Sequence, residues 1–153
     1  MTQKLEGIFS KSLKLNKNLY GMKLQVNQLA HQTVPADFVV FNQVGDVQFV
    51  ECKECKLNDK GKGSFGFGRL TQEADLNILQ RFSVFMCNYV MILFRAPTLK
   101  KSYCFMIPFV EYIKFKHRFT KKSANLGDFK DYLSKYILEP QKGSVYDVSF
   151  LEK

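Results

Sequence analysis

Long apolar runs are missing from this chain of 153 residues. A membrane-spanning helix, which needs about 18 or more consecutive apolar residues, is thereby excluded. The opening Met1-Thr2-Gln3-Lys4-Leu5-Glu6 lacks the apolar stretch of a signal peptide, so an intracellular, cytoplasmic protein is expected. Acidic residues are scarce, 14 Asp and Glu against 23 Lys and Arg, and the net charge of +9 calls for a polyanionic partner. A long basic amphipathic helix is not evident, which favours nucleic acid over a membrane surface. Histidine is reduced to His31 and His117. Cys52 and Cys55 have CxxC spacing, but Cys87 and Cys104 supply no second pair. Along a strand, Cys52 and Cys55 point to opposite faces, so buried, reduced thiols are expected before structural zinc. No GxxxxGK[ST] order occurs, which speaks against a phosphate-cradling P-loop. Neither an internal repeat nor a second domain is visible, and residues 1–153 read as a single domain.

What is present suffices for a core: 46% of residues are hydrophobic, with 15 Phe and 7 Tyr. Residues 4–15 have helical periodicity, with Leu5, Ile8, Phe9 and Leu13 on one side and Lys4, Lys11 and Lys14 on the other. Residues 22–29 alternate as a half-buried strand, after apparent breaks at Asn16-Lys17-Asn18 and Gly21. Pro35 forces the chain extended, and strands are expected over 37–42 and 46–54. Residues 57–68 hold four of the nine glycines and read as a mobile loop. A long helix is expected from Thr71 to about Tyr89 with Leu76, Leu79, Phe82, Ser83 and Met86 facing inward. Strands at 90–95 and 103–108, an ambiguous stretch at 110–115 and a helix over 126–138 complete the pattern. The order implies an α/β fold with a mixed β-sheet flanked by helices.

One constellation carries chemistry. In a strand, residues two apart share a face, so Glu51 and Lys53 project together. If Gln43-Val44-Gly45-Asp46 turns a hairpin, Asp37 falls opposite Glu51. Two carboxylates and an ammonium then converge, which suits a divalent metal ion and an activated water attacking a phosphodiester. Asp37, Glu51 and the backbone carbonyl of Cys52 are the candidate metal ligands. Lys53 would orient the water or offset the developing charge.

The signature Pro35-Ala36-Asp37, thirteen intervening residues, then Glu51-Cys52-Lys53-Glu54 resembles that of the PD-(D/E)xK nuclease superfamily. Phe49-Val50-Glu51-Cys52-Lys53-Glu54 is similar to the second-strand motif of its Holliday-junction resolvases, bacterial RecU and archaeal Hjc. The resemblance spans roughly residues 5–95; here the proline stands one residue further from the aspartate than in the family pattern. It implies a restriction-endonuclease-like core, a Mg²⁺ cofactor that Mn²⁺ can replace, branched double-stranded DNA as substrate, and a homodimer that nicks opposed strands. It also implies an additional acid on the first helix, Glu6, as a further catalytic residue and metal ligand. A glutamine from the first turn of the helix after the loop, Gln72, would join them. DNA contacts are expected from Lys60, Lys62, Arg69, Lys100 and Lys101, and from His31 and Thr33 near the scissile phosphate. Phe65 and Phe67 either wedge between bases or fold back onto the domain. Phe105, Phe109, Tyr112 and Phe115 form either a dimer interface or core. Two other readings remain open: a related nuclease acting on linear or flapped DNA, and a DNA-binding module without turnover.

Overall fold

The computed structural model describes residues 4–25, 34–82, 87–97 and 101–153. A five-stranded mixed sheet organises it, in the spatial order β1 (Leu19–Lys23), β2 (Phe38–Asn42), β3 (Val47–Lys56), β5 (Tyr89–Arg95), β6 (Tyr103–Pro108). Only β3 and β5 are parallel; the other neighbours are antiparallel. A parallel pair cannot be closed by a tight turn, so the chain between them makes a crossover. That crossover carries β4 (Ser64–Gly66) and α2 (Glu73–Phe82).

Helices cover both sheet faces. On one lies α1 (Leu5–Lys14), whose stripe of Leu5, Ile8, Phe9 and Leu13 packs on Phe38, Val40, Val50 and Cys52. The N-terminus of α1 has no cap from Lys4; the Glu54 carboxylate on β3 accepts the Leu5 N–H instead. An acid there also complements the helix dipole. The C-terminal residues share this face, with β8 (Pro140–Gln141) and β9 (Val145–Tyr146) forming a small hairpin that buries Tyr146, Val148 and Leu151. On the other face α3 (Phe109–Lys116) and α4 (Leu126–Leu133) join β4, paired with β7 (Ser123–Asn125), around an aromatic core.

Five expectations about elements are corrected. The first strand is Leu19–Lys23 rather than 22–29, and residues 26–29 lie outside the described ones. Gly21 is no break there: it pairs with Val40, and any side chain on it would collide with Leu13 of α1. The glycine-rich segment contains β4 and a 3-10 turn, Phe67–Arg69, because Phe65 and Phe67 carry enough apolar surface to fold inward. Its Gly63 is needed where the backbone passes the Lys56 carbonyl, which an added Cβ would meet at 2.7 Å. The helix expected to reach Tyr89 is α2, described over Glu73–Phe82, and Tyr89 instead opens β5; Ser83 and Met86 lie outside the described residues. The last helix stops at Leu133, followed by a 3-10 turn, and Ile137 bridges to Phe105 on β6. The ambiguous stretch at 110–115 is helical, and Phe105, Phe109, Tyr112 and Phe115 are core residues.

Candidate active site

The hairpin between β2 and β3 sets the geometry. Asn42 closes its turn: the Asp46 N–H donates to Asn42 Oδ1 (2.9 Å), and Asn42 Nδ2 donates to Asp46 Oδ2 (3.0 Å). Asn42 Nδ2 also reaches the Leu151 carbonyl at 3.0 Å, tying the turn to the C-terminal segment. Gly45 supplies the positive φ of 89° that the turn requires. The resulting register pairs Phe41 with Val47 and Phe38 with Val50, so the next position along brings Asp37 level with Glu51.

Beyond Phe38 and Val50 the ladder between β2 and β3 gives way to side chains. Asp37 Oδ2 accepts the Cys52 N–H at 2.8 Å, and the Asp37 carbonyl accepts the Leu24 N–H at 2.7 Å on the other side. Because N–H and C=O leave an extended residue on the same edge, the Cys52 carbonyl faces the same gap as Asp37. Glu51 is 1% exposed, and its Oε1 lies 2.9 Å from the Lys53 ammonium. Its Oε2 is buried with no hydrogen-bond partner. Burial pushes the Glu51 carboxyl up to about 7, and the negative charge of Asp37 adds to this while the Lys53 hydrogen bond opposes it. Asp37 is likewise raised, chiefly by burial, with the Cys52 N–H pulling the other way. Cys52 itself points into the α1 face while Cys55 belongs to the opposite core.

A buried carboxylate oxygen without a donor is costly. A divalent cation would satisfy it, and Mg²⁺ in particular binds through one or two carboxylates while keeping waters. Asp37, Glu51 and the Cys52 carbonyl fit that requirement. Among the described residues no group of three or more His, Cys, Asp and Glu side chains is placed to hold a metal.

Glu6 stands at the edge of this arrangement. Its charge reaches Asp37, but its carboxylate is engaged by Lys23. Lys23 is the residue that the sequence pattern missed. Its place on β1 opposite Phe38 brings the ammonium to Glu6 and within electrostatic range of Asp37. An earlier strand start, with Gly21 as a packing position, is the signal that would have found it. Gln72 accepts a hydrogen bond from the Thr71 hydroxyl at 3.0 Å, and among the described residues no hydrogen bond or ion pair joins it to Asp37, Glu51 or Lys53.

The expected DNA contacts are distributed unevenly. Phe65 and Phe67, at 0% and 4% exposure, are core residues and not wedges, for each ring is enclosed by other aromatics, Phe65 by Tyr112 and Phe129. Arg69 is exposed, with its guanidinium held by the Glu54 carbonyl (2.6 Å) and Cys55 Sγ (3.2 Å). Lys60 and Lys62 extend from a turn organised by Asn58 Oδ1, and Lys101 is exposed. His31, Thr33 and Lys100 lie outside the described residues.

No protein-family model matches the chain, and no curated protein does. Among solved structures it is similar to Archaeoglobus fulgidus Hjc, a Holliday junction resolvase from an archaeal hyperthermophile. The match has a TM-score of 0.41 and 12% identity, covering 77% of this chain and 76% of that one. The likeness is weak and concerns the fold alone.

Proposed function

We propose that the protein is a metal-dependent endodeoxyribonuclease that resolves four-way DNA junctions by paired nicks. The observation that carries the reading is Glu51: a buried carboxylate with one oxygen on Lys53, the other unpartnered, and Asp37 beside it. The excess of basic residues supplies the attraction to a phosphate backbone. Mg²⁺, or Mn²⁺ in its place, would be held by Asp37, Glu51 and the Cys52 carbonyl and would supply charge neutralisation at the phosphate and a water of lowered pKa. Lys53 orients the attacking water and offsets negative charge as it develops on the phosphate. The Cys52 N–H fixes the Asp37 carboxylate, so that the two acids meet the substrate without reorganising. Glu6 and Lys23 act as a pair bordering Asp37, and Gln72 enters from the start of α2 once DNA is bound.

Junction selectivity rests on the likeness of Glu51-Cys52-Lys53-Glu54 to the resolvase motif. Two symmetric cuts require two active sites, which a twofold homodimer provides. The test is incubation of a labelled four-way junction and its separate duplex arms with Mg²⁺, Mn²⁺ or EDTA, for the wild type and Glu51→Gln. Paired nicks near the branch point, dependent on metal and lost in the variant, are expected. Equal cutting of linear duplex would make the protein a nuclease of another substrate class. Binding without cutting would reduce it to a DNA-binding module.

A further inference from the structure

The basic run Lys114, Lys116, Arg118, Lys121 and Lys122 has no part in the carboxylate site. In the fold Lys116, Lys121 and Lys122 border an open cleft of about 750 Å³ between the start of α2, the end of α3 and the segment leading into β7, while Lys114 pairs with Glu111. The floor is apolar: half-buried Phe119 and Ile113 line it, and the buried Phe67 lies beneath, its ring 6.1 Å from that of Phe119 at a 38° tilt. Lys116 is spent on Glu73, whose two carboxylate oxygens it meets at 2.9 and 2.8 Å, a pair that braces α2 against α3. His117, Lys121 and Lys122 also line the cleft, all three exposed to solvent. Arg118 turns away to stack on Tyr132, 4.8 Å from the ring centre.

An apolar floor carrying one half-buried aromatic ring, Phe119, beneath a cationic rim matches a ligand with a planar apolar part and an attached anion. We propose that this cleft binds an unpaired nucleotide, its base against Phe119 and Ile113 and its phosphate at Lys121 and Lys122. Such a floor accepts any base, because every base has a stacking face, and it gives no advantage to a paired duplex whose bases stay stacked. The site has the dimensions of a ligand pocket rather than a crevice between side chains. It rests on nucleic acid being the partner, but not on the metal chemistry of Asp37 and Glu51. The ligand can be a free mononucleotide or one unit of a single strand.

The test is performed in EDTA, so that cleavage plays no part. Fluorescence anisotropy follows binding of the full-length protein to a labelled ten-residue single strand and to a labelled duplex, with competition by a nucleoside monophosphate. Three forms are compared: wild type, Lys121→Ala/Lys122→Ala, and Ala74→Trp, which fills the cleft from an exposed position on α2. Lys17→Ala/Lys142→Ala controls for net charge. At least a ten-fold loss of single-strand affinity in both cleft variants is expected, with duplex affinity unchanged in Ala74→Trp. The salt dependence of the lysine variant is expected to fall by a slope of about 1.4, for two phosphate contacts at about 0.7 each. Competition by the monophosphate in the wild type alone would identify the isolated nucleotide as sufficient; competition in no form, with single-strand losses intact, would place the requirement on the strand. Wild-type single-strand affinity in Ala74→Trp, or losses no larger than those of the charge control, would overturn the proposal. Failure of nuclease activity would leave these binding results unaffected.

Discussion

Glu51 is held in an environment that resists its charge. A carboxyl raised to about 7 in the folded state, against an ordinary 4.5, favours folding fully below pH 4.5 and progressively opposes it as pH rises through 7. The difference amounts to about 3 kcal/mol at high pH, from roughly 1.4 kcal/mol for each pH unit. In EDTA, wild-type stability should therefore decline between pH 4.5 and 8 by more than that of Glu51→Gln, measured by urea unfolding at each pH. Identical pH profiles would mean that Glu51 is not strained by burial. Cys52 beneath the site adds no charge of its own, because burial pushes its thiol well above the usual range. The convergence of Asp37, Glu51 and Lys53 was legible from spacing alone, since strand periodicity and a four-residue turn determine it. The engagement of Glu6 by Lys23 was not, because it depends on where β1 begins relative to β2.

At the scale of elements, two segments separate what local pattern reveals from what packing decides. Strands β2, β3, β5 and β6 and helix α1 follow from alternation or a 3.6-residue period and stand close to their expected bounds. The glycine-rich stretch misleads because composition reports backbone freedom, whereas Phe65 and Phe67 report burial, and burial wins. Phe65→Ala should consequently lower stability by about 3–5 kcal/mol, the cost of emptying an aromatic core position. A DNA wedge would lose junction affinity with little change in stability, so thermal melts distinguish the two. The helix expectation ran on to Tyr89 because apolar residues lead into β5, and periodicity alone does not separate a helix from the start of a buried strand. The β2–β3 turn links stability to function. Asn42→Ala removes three hydrogen bonds at a 9%-exposed position and should cost about 2 kcal/mol. Because the same turn aligns Asp37 with Glu51, cleavage should weaken beyond the loss of folded protein; activity at saturating folding conditions, normalised to the folded fraction, checks this.

For the whole molecule, the sheet separates two cores, and the carboxylates occupy the point where β2 and β3 part. The C-terminal residues, for which the sequence offered no match, bury Tyr146, Val148 and Leu151 against α1 and anchor the β2–β3 turn through the Leu151 carbonyl. Their short elements have too little periodicity to be read without their packing partners. Among the described residues no helix is long and apolar enough to cross a membrane. The most direct test of the central claim is a double-mutant cycle on metal-dependent DNA cleavage with Asp37→Asn, Glu51→Gln and the pair combined. If both carboxylates serve one metal-dependent centre, each single variant should lose at least about 10³-fold in rate and the double variant should be little worse than either. Near-wild-type cleavage in either single variant, or losses that simply multiply in the double, would contradict a shared centre at Asp37 and Glu51.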